Sequence, residues 1–119
     1  MSDTTHQGSC QCGAVRYEVE GLDLESTFTC NCSRCERLGS VLAFVPREQF
    51  ELLSGEAELT EYLFNKEVIA HQFCSVCGIE PFAYGQMPDG TKMAAINVNT
   101  VEGVDPRALD SKHVDGASS

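Results

Sequence analysis

Seven cysteines in 119 residues constrain this chain more than any other feature, because they fall into three tight groups. The groups are Cys10-x-Cys12, Cys30-x-Cys32-x2-Cys35 and Cys74-x2-Cys77. An odd number of thiols does not close into a complete disulfide framework. Met1 to Gly8 is polar and has neither a basic stretch nor an apolar run, so no secretory signal is expected. The cytoplasm is therefore the expected compartment, and dense, regularly spaced thiols in a reducing compartment point to metal.

Two of the groups end alike, at Cys12-Gly13 and Cys77-Gly78. A glycine after the second cysteine lets the backbone turn tightly and aim N–H groups at sulfur, as in zinc knuckles. Together Cys10, Cys12, Cys74 and Cys77 supply four thiolates, the donor set of a closed tetrahedral structural zinc site. Such a site would pin the start of the first strand to a hairpin about sixty residues later. The compact cluster Cys30-Asn31-Cys32-Ser33-Arg34-Cys35 then leaves three thiols, and three protein ligands with an open position is the pattern of a catalytic zinc. Spacing thus predicts two zinc ions per chain, one structural and one open.

Each group has a second reading. Cys10, Cys12, Cys74 and Cys77 could instead form two disulfides. Cys30, Cys32 and Cys35 could be a redox-labile thiol cluster, buried packing residues or iron–sulfur ligands. His71 is a candidate fourth ligand or general base, but strand alternation places it with Ile69 and Phe73, where a histidine is usually a satisfied core residue. Arg34 and Arg37 flank the three-thiol cluster and either hold a ligand carboxylate or lie solvated. Asn97 and Asn99 read as the solvent face of a strand rather than a polar pocket, and His6 and His113 are expected to play no part.

Around the cysteines the chain reads as short strands: Ala14 to Glu20 with Val15, Tyr17 and Val19 on one face, Ser26 to Cys30, and Val41 to Val45 up to Pro46. Leu52-Leu53, Leu59 to Phe64, Val68 to Phe73, Phe82 to Tyr84 and Met93 to Val101 follow, with one helical turn over Ser33 to Leu38. Seven or eight short strands and almost no helix make a mainly β domain, expected over residues 8–116 with flexible ends at 1–7 and 117–119. Eighteen acidic against eight basic side chains give a formal charge of −10, which repels phosphate backbones and excludes nucleic acid as a partner. No apolar run approaches the roughly 20 residues that span a bilayer, so no membrane partner is expected either.

The runs Gly8-Ser9-Cys10-Gln11-Cys12-Gly13-Ala14-Val15, Cys30-Asn31-Cys32-Ser33-Arg34-Cys35 and Phe73-Cys74-Ser75-Val76-Cys77-Gly78, in this order, resemble the glutathione-dependent formaldehyde-activating enzyme family, which includes the centromere protein V domain. Asn97-Val98-Asn99 and His113-x-Asp115-Gly116 also look like family positions, so the resemblance runs from about Gly8 to Gly116. It implies a β-tent fold of antiparallel sheets held by a zinc on Cys10, Cys12, Cys74 and Cys77, with an active-site zinc on Cys30, Cys32 and Cys35. The activity it implies joins formaldehyde to glutathione, formally a carbon–sulfur lyase in reverse, with a small thiol and an aldehyde as partners. The alternative of another class is a non-catalytic zinc-binding module for thiol or metal sensing or protein interaction. Ile79-Glu80-Pro81-Phe82 departs from the family pattern of a small or hydroxyl residue followed by an apolar one, and no basic tail suits a chromatin role.

Overall fold

The computed structural model describes residues 5–30, 33–64, 69–87 and 89–114. The strands run β1 (His6–Ser9), β2 (Arg16–Val19), β3 (Phe28–Cys30), β4 (Leu42–Pro46), β5 (Phe50–Ser54), β6 (Leu59–Phe64), β7 (Ile69–Cys74), β8 (Phe82–Gln86), β9 (Lys92–Asn97) and β10 (Lys112–Val114). One α-helix, α1 (Ser33–Leu38), follows β3, where a helical turn was expected. Among the described residues the strands make two sheets, a small one ordered β1-β2-β5 and a large one ordered β10-β3-β4-β9-β8-β7-β6. The chain is mainly β, as its alternating pattern predicts.

Pairing is antiparallel throughout except at one edge, where β10 runs parallel to β3. Leu59–Phe64, ambiguous by propensity, is a strand because each of its six residues pairs with one in β7. The Met93–Val101 reading runs too long. β9 stops at Asn97, whose side-chain Oδ1 accepts the Asn99 N–H at 3.1 Å and starts a 3-10 turn over Val98–Thr100. An Asx cap of this kind offers the backbone a partner outside the sheet ladder.

The core lies between the small sheet and the inner face of the large one. Tyr17, Val15 and Val19 point from the small-sheet side onto Phe82, Ala94, Ile96 and Val45, all at most 1% exposed. The rings of Phe50 and Phe82 are 4.5 Å apart, and Tyr17 meets Phe82 edge-on at 6.0 Å. Tyr17 also carries a polar thread through this core. Its hydroxyl donates to Thr100 Oγ1 at 2.7 Å, and Thr100 Oγ1 in turn donates to the Asn97 carbonyl. The close approach leaves no room beside Gly8, where a Cβ would strike the Tyr17 ring.

Strand alternation puts a second set of side chains on the outer face of the large sheet. The register aligns His71, Ala83, Ala95 and Phe44 in one row across β7, β8, β9 and β4. Phe28 pairs with Leu42 on the same face, and Cys30 follows it two residues along β3.

Candidate metal centre and the outer sheet face

The turn after β1 and the turn after β7 have nearly the same backbone wiring. Cys10 N–H donates to the Val15 carbonyl at 3.0 Å, and Cys74 N–H donates to the Ile79 carbonyl at 2.9 Å. Gly13 N–H closes back on the Cys10 carbonyl, and Gly78 N–H on the Cys74 carbonyl. Both glycines adopt the left-handed conformation, at φ 85° and 81°, that side chains with a Cβ resist. Two matching turns are thereby built on two different sheets.

Their four sulfurs meet. The ligand atoms of Cys10, Cys12, Cys74 and Cys77 all lie within 4.8 Å of one another. Cys10 and Cys12 Sγ are 3.6 Å apart, and Cys12 and Cys74 Sγ are 3.8 Å apart across 62 residues of chain. These cysteines are free thiols, so the paired-disulfide alternative does not describe them. A zinc–sulfur bond of about 2.3 Å implies about 3.8 Å along the edge of a tetrahedron of sulfurs, close to these two separations.

The electrostatics point the same way. Burial opposes ionisation of Cys10, yet the Val15 N–H, 3.3 Å from its sulfur, and the Cys12 and Cys74 thiols hold its pKa below the usual thiol value. Burial likewise pushes Cys77 up, but the backbone N–H groups of Ile79 and Cys12 and the Cys10 and Cys74 thiols outweigh it and bring the group down to about 6. At Cys12 the Ala14 N–H favours the thiolate, while burial and the three neighbouring sulfurs together raise it to about 11. Backbone donors thus favour thiolates in a space too small for several negative charges without a cation. The donor set, its spacing and its N–H groups fit a divalent, thiophilic ion such as zinc.

Of the three-thiol cluster, Cys30 ends β3, half-buried. Asn31 and Cys32, with the side chains of Arg34 and Cys35, lie outside the described residues, as does the Asp115–Ser119 tail. Cys30 is not one of the four clustered sulfurs.

His71 is 5% exposed, and its Nδ1 lies 2.8 Å from Glu80 Oε2, itself in a 6% exposed residue. The contact fixes the imidazole ring in place and matches the satisfied-core reading. Glu80 was not foreseen as its partner, although an acidic residue inside Ile79-Glu80-Pro81-Phe82 was the visible signal. Asn97 also departs from expectation. It is 9% exposed rather than solvated, and its Nδ2 donates to the Glu80 carbonyl at 2.8 Å. Asn99 lies in the turn beyond, where its Oδ1 accepts the Val41 N–H at 3.2 Å. His113, expected to be idle, ties β10 to β3 through a 2.8 Å contact between its Nδ1 and Thr29 Oγ1.

No helix among the described residues is long and apolar enough to cross a membrane. The family model for glutathione-dependent formaldehyde-activating enzymes matches residues 5–114, a span containing all seven cysteines. Among solved structures, the crystal structure of a Rhodobacter sphaeroides protein is 34% identical to this chain, covers 91% of it and 98% of its own length, and superposes with a TM-score of 0.80.

Proposed function

The chain belongs to the glutathione-dependent formaldehyde-activating enzyme family, and from that premise we propose that it is a zinc-dependent, carbon–sulfur lyase-like enzyme acting on a small thiol of the glutathione type and an aldehyde such as formaldehyde. The observation that carries this reading is the family match over residues 5–114, the span that contains all seven cysteines. In it Cys10, Cys12, Cys74 and Cys77 hold a structural zinc that fastens the two sheets. Cys30, Cys32 and Cys35 hold a second zinc with one open position, the working unit being the single domain 8–116. The cytoplasm, which keeps thiols reduced, is the compartment that suits both sets.

The reaction itself is simple. The thiol S–H adds across the C=O bond: a carbon–sulfur bond forms, the carbonyl π bond breaks, and the proton passes from sulfur to oxygen. Zinc bound at an open thiolate site supplies Lewis acidity that polarises a carbonyl or lowers a thiol's pKa. The chain's own contribution is placement. Cys30 stands at the end of β3, on the sheet face that also carries His71, whose ring Glu80 holds in one orientation.

Zinc content per chain and thiol-dependent consumption of formaldehyde test the reading. Two zinc per chain are expected, and Cys32→Ser is expected to lose one of them together with turnover, leaving the fold intact. Turnover retained in Cys32→Ser would sink the active-site assignment. Full metal content with no thiol–aldehyde turnover in the parent protein would favour the non-catalytic module.

A further inference from the structure

The outer face of the large sheet carries an apolar groove walled by Phe28, Phe44, Ile69, Met87 and Met93. The nucleophilic side chains that the described residues bring together lie elsewhere, at the corner where the turn after β1 meets the turn after β7. That corner is uneven. Cys10 and Cys74 are buried, at 3% and 0% exposure, and Cys77 is half-buried, whereas Cys12 is exposed. Gln11 beside it is exposed too, and a Cβ built on Gly13 would meet nothing within 4 Å, so the space around this turn is open. The Cys12 sulfur is the point at which a small dissolved reagent first reaches the cluster.

We propose that Cys12 is an oxidation site, and that hydrogen peroxide exchanges the zinc clasp between the two sheets for a Cys12–Cys74 disulfide. The proposal rests on the structural zinc of the reading above and not on its thiol–aldehyde chemistry. Three observations support it. First, zinc holds its cysteines as thiolates, the nucleophilic form, and Cys12 alone of the four is also exposed. Second, a resolving thiol stands within reach. The Cys74 Sγ is 3.8 Å from the Cys12 Sγ, and a disulfide of about 2.05 Å asks for a movement of about 2 Å, which rotation of an exposed side chain supplies.

Third, the backbone favours Cys74 over Cys10 as the partner, although the Cys10 Sγ is as near, at 3.6 Å. The Val15 N–H holds the Cys10 sulfur at 3.3 Å, and the Cys10 N–H and carbonyl are tied to Val15 and Gly13. A bond from Cys10 to Cys12 would have to close inside that one turn against these contacts. A bond from Cys12 to Cys74 joins two separate turns and leaves the hydrogen bonds of both in place.

The steps balance. The Cys12 thiolate takes one oxygen of hydrogen peroxide as the O–O bond breaks, which gives a sulfenic acid and hydroxide. The Cys74 thiolate then attacks the Cys12 sulfur: the S–S bond forms, the S–O bond breaks, and a second hydroxide leaves. The two sulfurs have lost two electrons, the peroxide has gained them, and two protons turn both hydroxides into water. Two thiolates remain, short of the four donors of a closed zinc site, so Cys10 and Cys77 release the ion and take up a proton each. The sheets stay fastened, because the new bond closes a loop across 62 residues of chain.

Two measurements on the full-length, zinc-loaded protein test the proposal. In the first, hydrogen peroxide is added, disulfides are mapped by tandem mass spectrometry, and a chromogenic chelator reads the zinc set free. Arg16, Lys66 and Lys92 put the two turns in different tryptic peptides, so a bond between the turns is distinguished from a bond within either one. The Cys12–Cys74 bond is expected to appear at the same rate as one equivalent of zinc, and a reducing agent with added zinc to reverse both. Cys12→His keeps a zinc ligand that forms no sulfenic acid, and is expected to lose its corner zinc about tenfold more slowly. Should that variant fail to hold zinc, the mapping in the parent protein still decides. In the second, unfolding in denaturant is followed by circular dichroism. The oxidised, metal-free protein is expected to unfold cooperatively, and the reduced protein with its zinc chelated to unfold without cooperativity.

A first bond between Cys10 and Cys12, or between Cys74 and Cys77, would overturn the proposal. So would an oxidised protein that unfolds without cooperativity. Zinc kept in full at the corner while other thiols oxidise would defeat the oxidation site alone and leave the structural zinc standing. A reduced protein with no zinc on these four cysteines would defeat the structural zinc and the proposal with it, so the two failures are told apart.

Discussion

The two faces of the large sheet are built from similar residues and have opposite fates. On the inner face Phe82, Ala94, Ile96 and Val45 are at most 1% exposed and pack against Tyr17 and Phe50. On the outer face Phe44 and Ile69 are about half exposed, while His71 and Asn97 are buried in polar contacts. One face is closed by the small sheet, and the other carries Cys30, a fixed histidine and an apolar groove. Hydrophobicity alone does not distinguish a core from a binding surface. What distinguishes them is whether another element of the chain covers the face.

The sharpest way to break the comparison is to unfasten the small sheet. The four-sulfur corner joins the turn after β1 to the turn after β7, and so one sheet to the other. Structural zinc contributes about 10–16 kcal/mol in zinc-finger peptides, as much as a whole domain's usual stability of about 5–15 kcal/mol. With zinc held at this corner as proposed, its removal by a chelator, or Cys74→Ser, is expected to abolish cooperative unfolding in denaturant followed by circular dichroism. An unchanged midpoint after chelation would show that the apolar core alone holds the sheets together. The next largest effect belongs to Phe82→Ala, which empties a site bounded by Tyr17, Phe50 and Tyr84 and is expected to cost about 3–5 kcal/mol in the same experiment.

What the sequence disclosed follows from how local each signal is. The paired cysteines and their glycines were legible because each turn is encoded within about six residues. The same holds for β2 and β9, where alternation marks the buried side, whereas β4, apolar at every position from Leu42 to Val45, showed a strand but not that Phe44 faces solvent. β1 (His6–Ser9) was not legible: its four residues are mostly polar, and it is a strand only because β2 pairs with it and Gly8 admits the Tyr17 ring. β10 escaped for a similar reason, since Lys112–Val114 leaves no apolar rhythm and its parallel partner β3 lies over eighty residues away. The His71–Glu80 contact joins two residues whose nearness depends on the β7–β8 turn, so the sequence showed an odd glutamate and not its partner. The overshoot at Asn97 is different, because an asparagine two residues before another already carries the cap signal that ended β9.

A subtler contrast between the faces is in their response to alkali. Burial, with the negative charge of Glu102 adding to it and the Thr100 hydrogen bond opposing it, pushes the Tyr17 phenol from 10.0 up to about 12. A raised pKa means the native state holds the proton more tightly than the unfolded chain does. The resulting stability is complete below pH 10 and is lost as pH rises through about 12. Two units correspond to about 3 kcal/mol. Unfolding free energies measured across that window are expected to fall steeply in the parent protein. In Tyr17→Phe the fall should be shallower, after a constant loss of about 1 kcal/mol for the hydroxyl's bond to Thr100. Equal slopes in the two proteins would place the alkaline sensitivity outside this core.

The smallest expected effect sharpens the comparison most. Phe44 has the size of Phe82 and a ring neighbour, Phe28, at 5.7 Å, but half its surface is already in water. Truncation to alanine removes little buried area and opens no closed cavity, so Phe44→Ala is expected to cost about 1 kcal/mol or less. The same substitution that empties the inner face then merely widens the outer groove. A cost near that of Phe82→Ala would mean that the outer face is covered in solution and behaves as a second core. A small cost leaves Phe44 as a residue whose exposure the fold tolerates without depending on it for stability, and that is the condition under which an apolar side chain is free to serve a ligand.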